Sequence, residues 1–310
     1  MFIEQAYKGN NEWWRVIITT LFSTGIFILN FIFFLVLPKE TIQSSYDIMN
    51  TMPKSVALLV NLLPFVVLLA LLFTLVYTLH QRNVLSLTTT RKSVDFKRIF
   101  FSFGLIVFFT LVTFGVSYYM DSSQIVWNFH PMKFLLLFAI SIVLFPFQIG
   151  FEEYLFRGYL LQQIGIVAKN RWMPLVVTSV VFGLFHSANP EVAEMGYGVM
   201  AFYIGTGFLL GIMTLMDEGL ELSLGFHLGN NLMAALLITS DYSALQTDAI
   251  FRSSGKENPA DTLNEMIISM LIVYPIILFC LAKKYKWTNW REKLTGKIIN
   301  TPNLNTEYHD

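Results

Sequence analysis

Long apolar runs dominate this sequence and limit what it can fold into. A helix needs about 20 mostly apolar residues to cross a bilayer. Only 14% of the residues are charged, against about 25% in soluble domains. The pattern therefore predicts an all-α, polytopic transmembrane helix bundle with about eight spans. The predicted spans cover residues 14–37, 55–79, 99–119, 134–151, 172–185, 196–216, 220–239 and 262–282.

Composition argues against several other classes of protein. The single cysteine, Cys280, cannot form an intrachain disulfide, and a Cys/His structural zinc site is not expected. The net charge is zero, so we expect the lipid bilayer as a partner and no nucleic acid. The first apolar run is longer than the roughly 7–15 residues of a signal-peptide core, so a cleaved signal is not expected either.

The distribution of lysine and arginine predicts the orientation of the chain. Cytoplasmic loops of membrane proteins carry an excess of these residues. With the amino terminus inside, 16 of the 21 fall in inside segments and 5 in outside segments. We therefore expect both termini in the cytoplasm and the plasma membrane as the location.

The chain divides into three predicted regions. Residues 1–98 hold two spans and a basic loop, residues 99–283 form the core, and residues 284–310 are a polar tail. Between the fourth and fifth spans, residues 152–171 place apolar side chains at helical spacing. That spacing predicts an amphipathic helix on the membrane surface.

Three groups of polar residues interrupt the apolar core, where ionisable groups usually face the bundle interior. In the first group, Glu153 and Arg157 are four residues apart and are spaced for a helical ion pair. Glu152, next to them, is left without that partner. A structural explanation, a salt bridge at the end of an interfacial helix, stays open for this group alone.

The other two groups contribute histidines and amides. His186 ends the fifth span, and His227 and Asn231 share one face of the seventh span, with Asn230 a weaker candidate for that face. A lone histidine is often bonded to a backbone carbonyl, and a His with an amide can simply join helices. Together, however, the three groups supply a base, an imidazole and oxyanion donors, which is what hydrolysis of a peptide bond requires.

Geometry sets a condition on this site. At about 1.5 Å per residue, His186 lies about 21 Å from the cytoplasmic face if its span starts at Trp172. Glu152 ends an apparent span near that face. The two can meet only if the fourth helix continues past Glu152, or if the fifth span begins later. We expect Glu152 well inside the bundle, within bridging distance of His186 through one water, in a pocket that opens toward the cytoplasmic half.

The sequence lacks the motifs of other classes of intramembrane protease and of ATP-driven pumps. There is no H-E-x-x-H zinc motif, no G-x-G-D aspartate motif and no serine in a Gly-x-Ser-Gly setting. There is also no G-x-x-x-x-G-K-[ST] motif of an ATP-driven pump.

The three polar groups, taken in order, resemble the signature of the CAAX-protease and bacteriocin-processing (CPBP) family of intramembrane proteases, also called the type II CAAX or ABI family. The resemblance covers residues 134–238, about a third of the chain. The matching motifs are Glu152-Glu153-x-x-x-Arg157, Phe182-x-x-x-His186 and His227-x-x-x-Asn231.

The resemblance implies an intramembrane endopeptidase acting on a membrane-associated peptide or a lipidated protein tail. It implies that Glu152 and His186 activate water, and that His227 and Asn231 stabilise the oxyanion. The family has been labelled both glutamic and metallo type. No cofactor is required on this view, but zinc is allowed, with Glu152, His186 and His227 as its three ligands.

The resemblance also implies that Glu153 and Arg157 brace the motif helix. Two other hypotheses remain open. The first is a non-catalytic scaffold or bacteriocin-immunity protein of the same fold that binds a partner. The second is a secondary transporter, which predicts inverted repeats and paired broken helices; the sequence has neither.

Overall fold

The protein is described here by a computed structural model that covers residues 1–241, 243–255 and 258–298. Of the predicted polar tail, residues 299–310 lie outside the described residues. The fold is an all-α bundle, as predicted. Its α-helices in the described residues are α1 Trp13–Val36, α2 Lys39–Thr51, α3 Lys54–Thr78, α4 Leu85–Thr88, α5 Phe96–Met120, α6 Pro131–Glu153, α7 Leu161–Ala168, α8 Trp172–Leu184, α9 Pro190–Met195, α10 Val199–Asp217, α11 Glu221–Leu236, α12 Pro259–Tyr285 and α13 Trp290–Thr295.

Shorter elements complete the fold. Two 3₁₀ helices cover Ile3–Lys8 and Ser122–Gln124, and a π-helical segment, Tyr154–Leu160, joins α6 to α7. A small sheet has the strand order β1-β3-β2, with β1 antiparallel and β2 parallel to β3. Its strands are β1 Ile125–Trp127, β2 Ile238–Thr239 and β3 Phe251–Ser253.

In the part of the chain that the structure describes, six helices are long and apolar enough to cross a membrane, which supports an integral membrane protein. The two remaining predicted spans correspond to α8, with 13 residues, and α11, with 16 residues. At about 1.5 Å per residue both are shorter than the roughly 30 Å hydrocarbon core. The six long helical stretches are Trp13–Phe33, Lys54–Thr78, Phe96–Met120, Pro131–Ala168, Val199–Asp217 and Pro259–Tyr285.

The described chain runs back and forth between two ends of the bundle. One end, called the terminal end below, gathers the amino-terminal segment, the last described residues, α4, α13 and the α10–α11 connection. The other, called the opposite end, carries α2, α9 and the small sheet. The terminal end is held by an apolar cluster that includes Phe2, Ile3, Leu161, Leu175, Leu215, Leu220 and Ile298.

Close helix contacts position the two short crossings. A Cβ added at Gly225 in α11 would lie 2.0 Å from the Ile99 carbonyl oxygen of α5, and one at Gly207 in α10 would lie 2.8 Å from the Ser179 carbonyl oxygen of α8. Only glycine permits such close backbone approach. These contacts fix the depth of α8 and α11. Helix α11 carries His227, and α8 ends just before His186.

Ion pairs at the terminal end anchor the start of α11. Arg91 contacts the Asp217 carboxylate at 2.9 Å and Glu221 at 3.2 Å, and Arg98 also contacts Asp217. The Asp217 and Glu221 side chains are buried, so each needs these partners to offset its lost hydration. The network therefore ties the loop before α5 to the connection between α10 and α11.

The predicted surface helix over residues 152–171 is wrong. The helical path of α6 continues through the π segment into α7, inside the bundle, and its polar positions are buried. Gln162 donates to the Ser86 carbonyl at 3.0 Å, and Gln163 donates to the Asn11 side chain at 2.8 Å. The amphipathic pattern arises because the polar face meets polar groups of the protein rather than water.

Candidate active site

Glu152 and Glu153 lie at the end of α6, inside the bundle. The helix continues there into the π segment, a backbone form often found at functional sites. As a result these carboxylates and Arg157 face neighbouring helices: Glu152 is 8% exposed, and Glu153 and Arg157 are fully buried. The condition that the fourth helix continue past Glu152 is therefore met.

Glu153 and Arg157 form the ion pair that their spacing predicts. Arg157 Nη1 donates to Glu153 Oε1 at 2.9 Å, and Nη2 donates to the Gly207 carbonyl at 3.3 Å. The guanidinium also lies 4.3 Å from the centroid of the Phe182 ring, in a cation–π contact. Arg157 thus connects the motif helix to α8 and α10.

Glu153 also reaches α11. His227 Nδ1 lies 2.8 Å from Glu153 Oε1, and His227 Nε2 lies 3.6 Å from Glu152 Oε2. The imidazole is therefore placed between two adjacent carboxylates. Because a carboxylate accepts the hydrogen bond, Nδ1 carries a proton, and this contact fixes which ring nitrogen faces Glu152.

The two oxygens of Glu152 have different surroundings. Oε1 accepts a hydrogen bond from Gln148 Nε2 at 3.2 Å, one helical turn earlier. Oε2 is buried and has no hydrogen-bond partner within the described part of the chain. A buried polar atom without a partner is costly, and such atoms in native proteins are often reserved for chemistry.

His186 follows α8 in a turn. Its Nδ1 donates to the Phe182 carbonyl at 2.8 Å, which leaves Nε2 as an acceptor. The ring stacks on Tyr203 of α10, with centroids 4.4 Å apart and planes 21° apart. Within the described residues no hydrogen bond or ion pair joins His186 to Glu152 directly. The water bridge between them stays a prediction.

Amide side chains link α11 back to Glu152. Asn230 Nδ2 donates to Asn231 Oδ1 at 3.3 Å, and Asn231 Nδ2 donates to Gln148 Oε1 at 3.3 Å. Gln148 then donates to Glu152. Sequence reasoning missed Gln148, although its spacing of four from Glu152 within an apolar run was an available signal. It also missed Tyr203, which contacts His186 across two helices and leaves no local pattern.

The zinc set allowed by the sequence does not fit this arrangement. Of its three members, Glu152 and His227 approach each other at 3.6 Å, whereas His186 bonds the Phe182 carbonyl and has no ion pair with Glu152 among the described residues. No group of three His, Cys, Asp or Glu side chains in the described residues is placed to hold a metal ion. We therefore derive no catalytic step through a metal.

The motif-bearing helices are similar to a known family. Residues 131–233 match the family described as type II CAAX prenyl endopeptidase Rce1-like. This region is Rce1-like. The Rce1-like region extends from α6 into α11 and contains Gln148 and every predicted site residue, so the resemblance inferred from the motifs is confirmed.

A relative of unknown activity matches more of the chain. The protein is 27% identical over 248 residues to the uncharacterized protein YyaK of Bacillus subtilis (strain 168), covering 76% of this chain and 81% of the relative. No solved structure matches the chain. The Rce1-like similarity therefore supports the class of fold, and the site has to be argued from its own geometry.

The buried ion pair gives a stability prediction. Arg157→Ala is expected to destabilise the protein by about 3–5 kcal/mol, because it leaves the buried Glu153 carboxylate without its guanidinium. Thermal unfolding in detergent measures the change. Arg291→Ala, which removes an exposed arginine, is the matched control and should have little effect. The double variant Glu153→Gln/Arg157→Met removes both charges and should recover much of the loss. A double variant no more stable than Arg157→Ala would contradict the pairing.

Proposed function

We propose that this protein is an intramembrane endopeptidase that cleaves a membrane-associated peptide or a lipidated protein. The observation that carries the proposal is the setting of Glu152: its buried Oε2 has no hydrogen-bond partner among the described residues and lies 3.6 Å from His227 Nε2. Asn231 is joined to the other oxygen, Oε1, through Gln148. The similarity of residues 131–233 to Rce1-like prenyl endopeptidases supports the same class of activity.

In this proposal Glu152 and His186 activate the water molecule. Glu152 Oε2 and His186 Nε2 are both acceptors, so a water between them can donate one proton to each. As that water attacks the peptide carbonyl carbon, Glu152 takes its proton. The proton then passes to the amide nitrogen and the C–N bond breaks, which leaves a carboxylic acid and an amine. Transfer of the carboxyl proton to the amine gives the final carboxylate and ammonium products.

His227 is suited to stabilise the negative oxygen of the tetrahedral intermediate. Because its Nδ1 already donates to Glu153, donation from Nε2 requires the doubly protonated, cationic ring. That charge state is balanced locally: with Arg157, the imidazolium offsets the two carboxylates of Glu152 and Glu153. A cation directed at the developing oxyanion is an effective form of electrostatic stabilisation inside a low-dielectric site.

Asn231 supplies a second, neutral donor. Its amide nitrogen donates to Gln148 at 3.3 Å, slightly beyond the usual range for this type of bond. A substrate oxygen can replace Gln148 as the acceptor without a large loss of hydrogen-bond energy. Gln148 thereby holds Asn231 and Glu152 at a fixed separation, and Asn230 positions the Asn231 amide from the other side.

The central test is Glu152→Gln. This nearly isosteric change removes the base and should abolish peptide release while the protein still folds. Mass spectrometry of peptide termini in membranes from cells making either form measures the activity. Glu265→Gln, on an exposed position of α12, is the matched control and should retain full activity.

The same experiment separates an enzyme from a partner-binding scaffold. A scaffold or immunity protein would keep its full biological function with Glu152→Gln, because binding does not need a base. If the terminal peptides are the same in both cell lines and the biological function persists, the proposed proteolysis is wrong.

The oxyanion role predicts a graded loss. Asn231→Ala should lower kcat by roughly 10²–10³-fold, the usual effect of removing one oxyanion donor, and should leave measurable activity because Glu152 remains. Asn230→Ala should have a smaller effect, since Asn230 acts only through Asn231. Steady-state kinetics on an identified substrate measures both. A complete loss with Asn231→Ala would instead assign that side chain to water activation or folding.

The proposed chemistry also predicts the response to a metal chelator. Turnover by the purified protein should be unchanged by EDTA or 1,10-phenanthroline, because Glu152 and His186 activate water without a metal. Loss of turnover that is restored by added zinc would contradict this mechanism and would require His186 to move into a ligand set with Glu152 and His227.

A further inference from the structure

His186 lies in the turn that follows α8, outside the regular helix. Among the described residues one hydrogen bond holds its ring, from Nδ1 to the Phe182 carbonyl at 2.8 Å. A single bond fixes the position of Nδ1 but leaves the ring free to turn about it. The direction of Nε2, the atom proposed to hold the attacking water, therefore has to be set by other contacts.

Two aromatic rings contact the His186 ring. Phe182, one helical turn earlier, lies at a centroid distance of 4.8 Å with its plane tilted by 51°. Tyr203 of α10 stacks on the imidazole, with centroids 4.4 Å apart and planes 21° apart. Aromatic rings packed in this way hold a preferred relative orientation. Because Phe182 and His186 belong to the same segment, the Tyr203 contact is the one that orients the imidazole against another helix.

Tyr203 is itself held at its far end. Its hydroxyl accepts a hydrogen bond from Asn189 Nδ2 at 3.2 Å, and Asn189 directly precedes α9. The neighbouring Phe202 ring lies edge-on to the tyrosine ring, with centroids 5.9 Å apart. The plane of the Tyr203 ring is therefore defined before it meets His186.

Glycines bring α8 and α10 close together at the level of the stacked pair. A Cβ added at Gly183 would lie 3.2 Å from the backbone nitrogen of Ile204, the residue after Tyr203. One added at Gly207 would lie 2.8 Å from the Ser179 carbonyl oxygen. Such approach requires residues without side chains. Helix α10 is thus held at a fixed separation from the end of α8, and the stacked pair is held with it.

From these contacts we infer that Tyr203 is a positioning residue for His186. Its ring face, secured by Asn189, sets the direction in which His186 Nε2 points. Its part in the reaction is indirect, through the imidazole. The inference rests on the proposed function, in which Nε2 accepts a proton from the attacking water. It also assigns the effect to the ring face of Tyr203 rather than to its hydroxyl.

Two substitutions at Tyr203 separate the ring from the hydroxyl. Tyr203→Leu removes the ring face and should lower kcat roughly 10- to 100-fold with KM nearly unchanged, because a misdirected Nε2 weakens the transition state and not substrate binding. Tyr203→Phe keeps the ring face and should retain most of the activity. Steady-state kinetics on a substrate identified by its dependence on Glu152 measures both variants.

Tyr274→Leu is the matched control for general packing. Tyr274 of α12 is half-buried like Tyr203, and it also supports α10, through a hydrogen bond of 2.7 Å with the Thr206 hydroxyl. Its loss should lower thermal stability in detergent without a comparable fall in kcat. An equal fall in kcat in Tyr274→Leu would overturn the inference, as would a Tyr203→Phe variant as slow as Tyr203→Leu.

The stacking can also be measured without turnover. The Cε1–H resonance of His186 is recorded by NMR on Glu152→Gln protein made with isotope-labelled histidine, and is assigned by its loss in His186→Gln. A stacked aromatic ring displaces this resonance. Tyr203→Leu should therefore move it, whereas Tyr203→Phe and Tyr274→Leu should leave it in place. An unmoved resonance in Tyr203→Leu would overturn the inference whatever the activity.

Failure of this inference is distinguishable from failure of the proposed function. A protein without any Glu152-dependent cleavage would reject the proposed function, and the His186 resonance would still decide whether Tyr203 holds the ring. Glu152-dependent cleavage with an unchanged kcat in Tyr203→Leu would retain the proteolysis and reject the positioning role.

Discussion

The buried ion pair between Glu153 and Arg157 is the interaction on which the candidate site depends. Both side chains are fully buried, and a charge taken out of water is tolerated only with a well-placed partner. Oxygen Oε1 of Glu153 accepts two hydrogen bonds, one from Arg157 and one from His227. The pair therefore joins four helices, α6 through the π segment, α8, α10 and α11, at one point. Glu152, the adjacent residue, is placed by this junction together with its own contacts to Gln148 and His227.

The site combines a buried ionic part with a less buried amide part. The Glu153–Arg157 ion pair is fully buried, and Phe182 packs over the guanidinium. Gln148 and Asn231 are partly exposed and are joined by a hydrogen bond of 3.3 Å. Gln148 also donates to Glu152, so this carboxylate lies where the ionic part meets the amide part.

Much of this architecture is predictable from the sequence, and the failures have a common cause. Apolar run length predicted a helical bundle with about eight spans, of which six are long helices in the described residues and two are the shorter α8 and α11. A spacing of four residues predicted the ion pair. The predicted surface helix was wrong because an amphipathic pattern records which positions are polar and not whether water or protein satisfies them. Gln162 and Gln163 are polar positions satisfied within the bundle. Tyr203 could not be predicted as a site residue, because its contact with His186 is between two separate segments and follows no regular spacing along the sequence.

The sequence by itself determined the class of fold, the order of the motifs and the residue type at each motif position, because hydropathy and residue type are local properties. Only the tertiary structure decided that Glu153 contacts the His227 ring and that Gln148 connects Asn231 to Glu152. Each of these depends on the depth and rotation of one helix against another. Those are set by close packing at glycines such as Gly225, where backbone approaches backbone, and no spacing along a single helix records them.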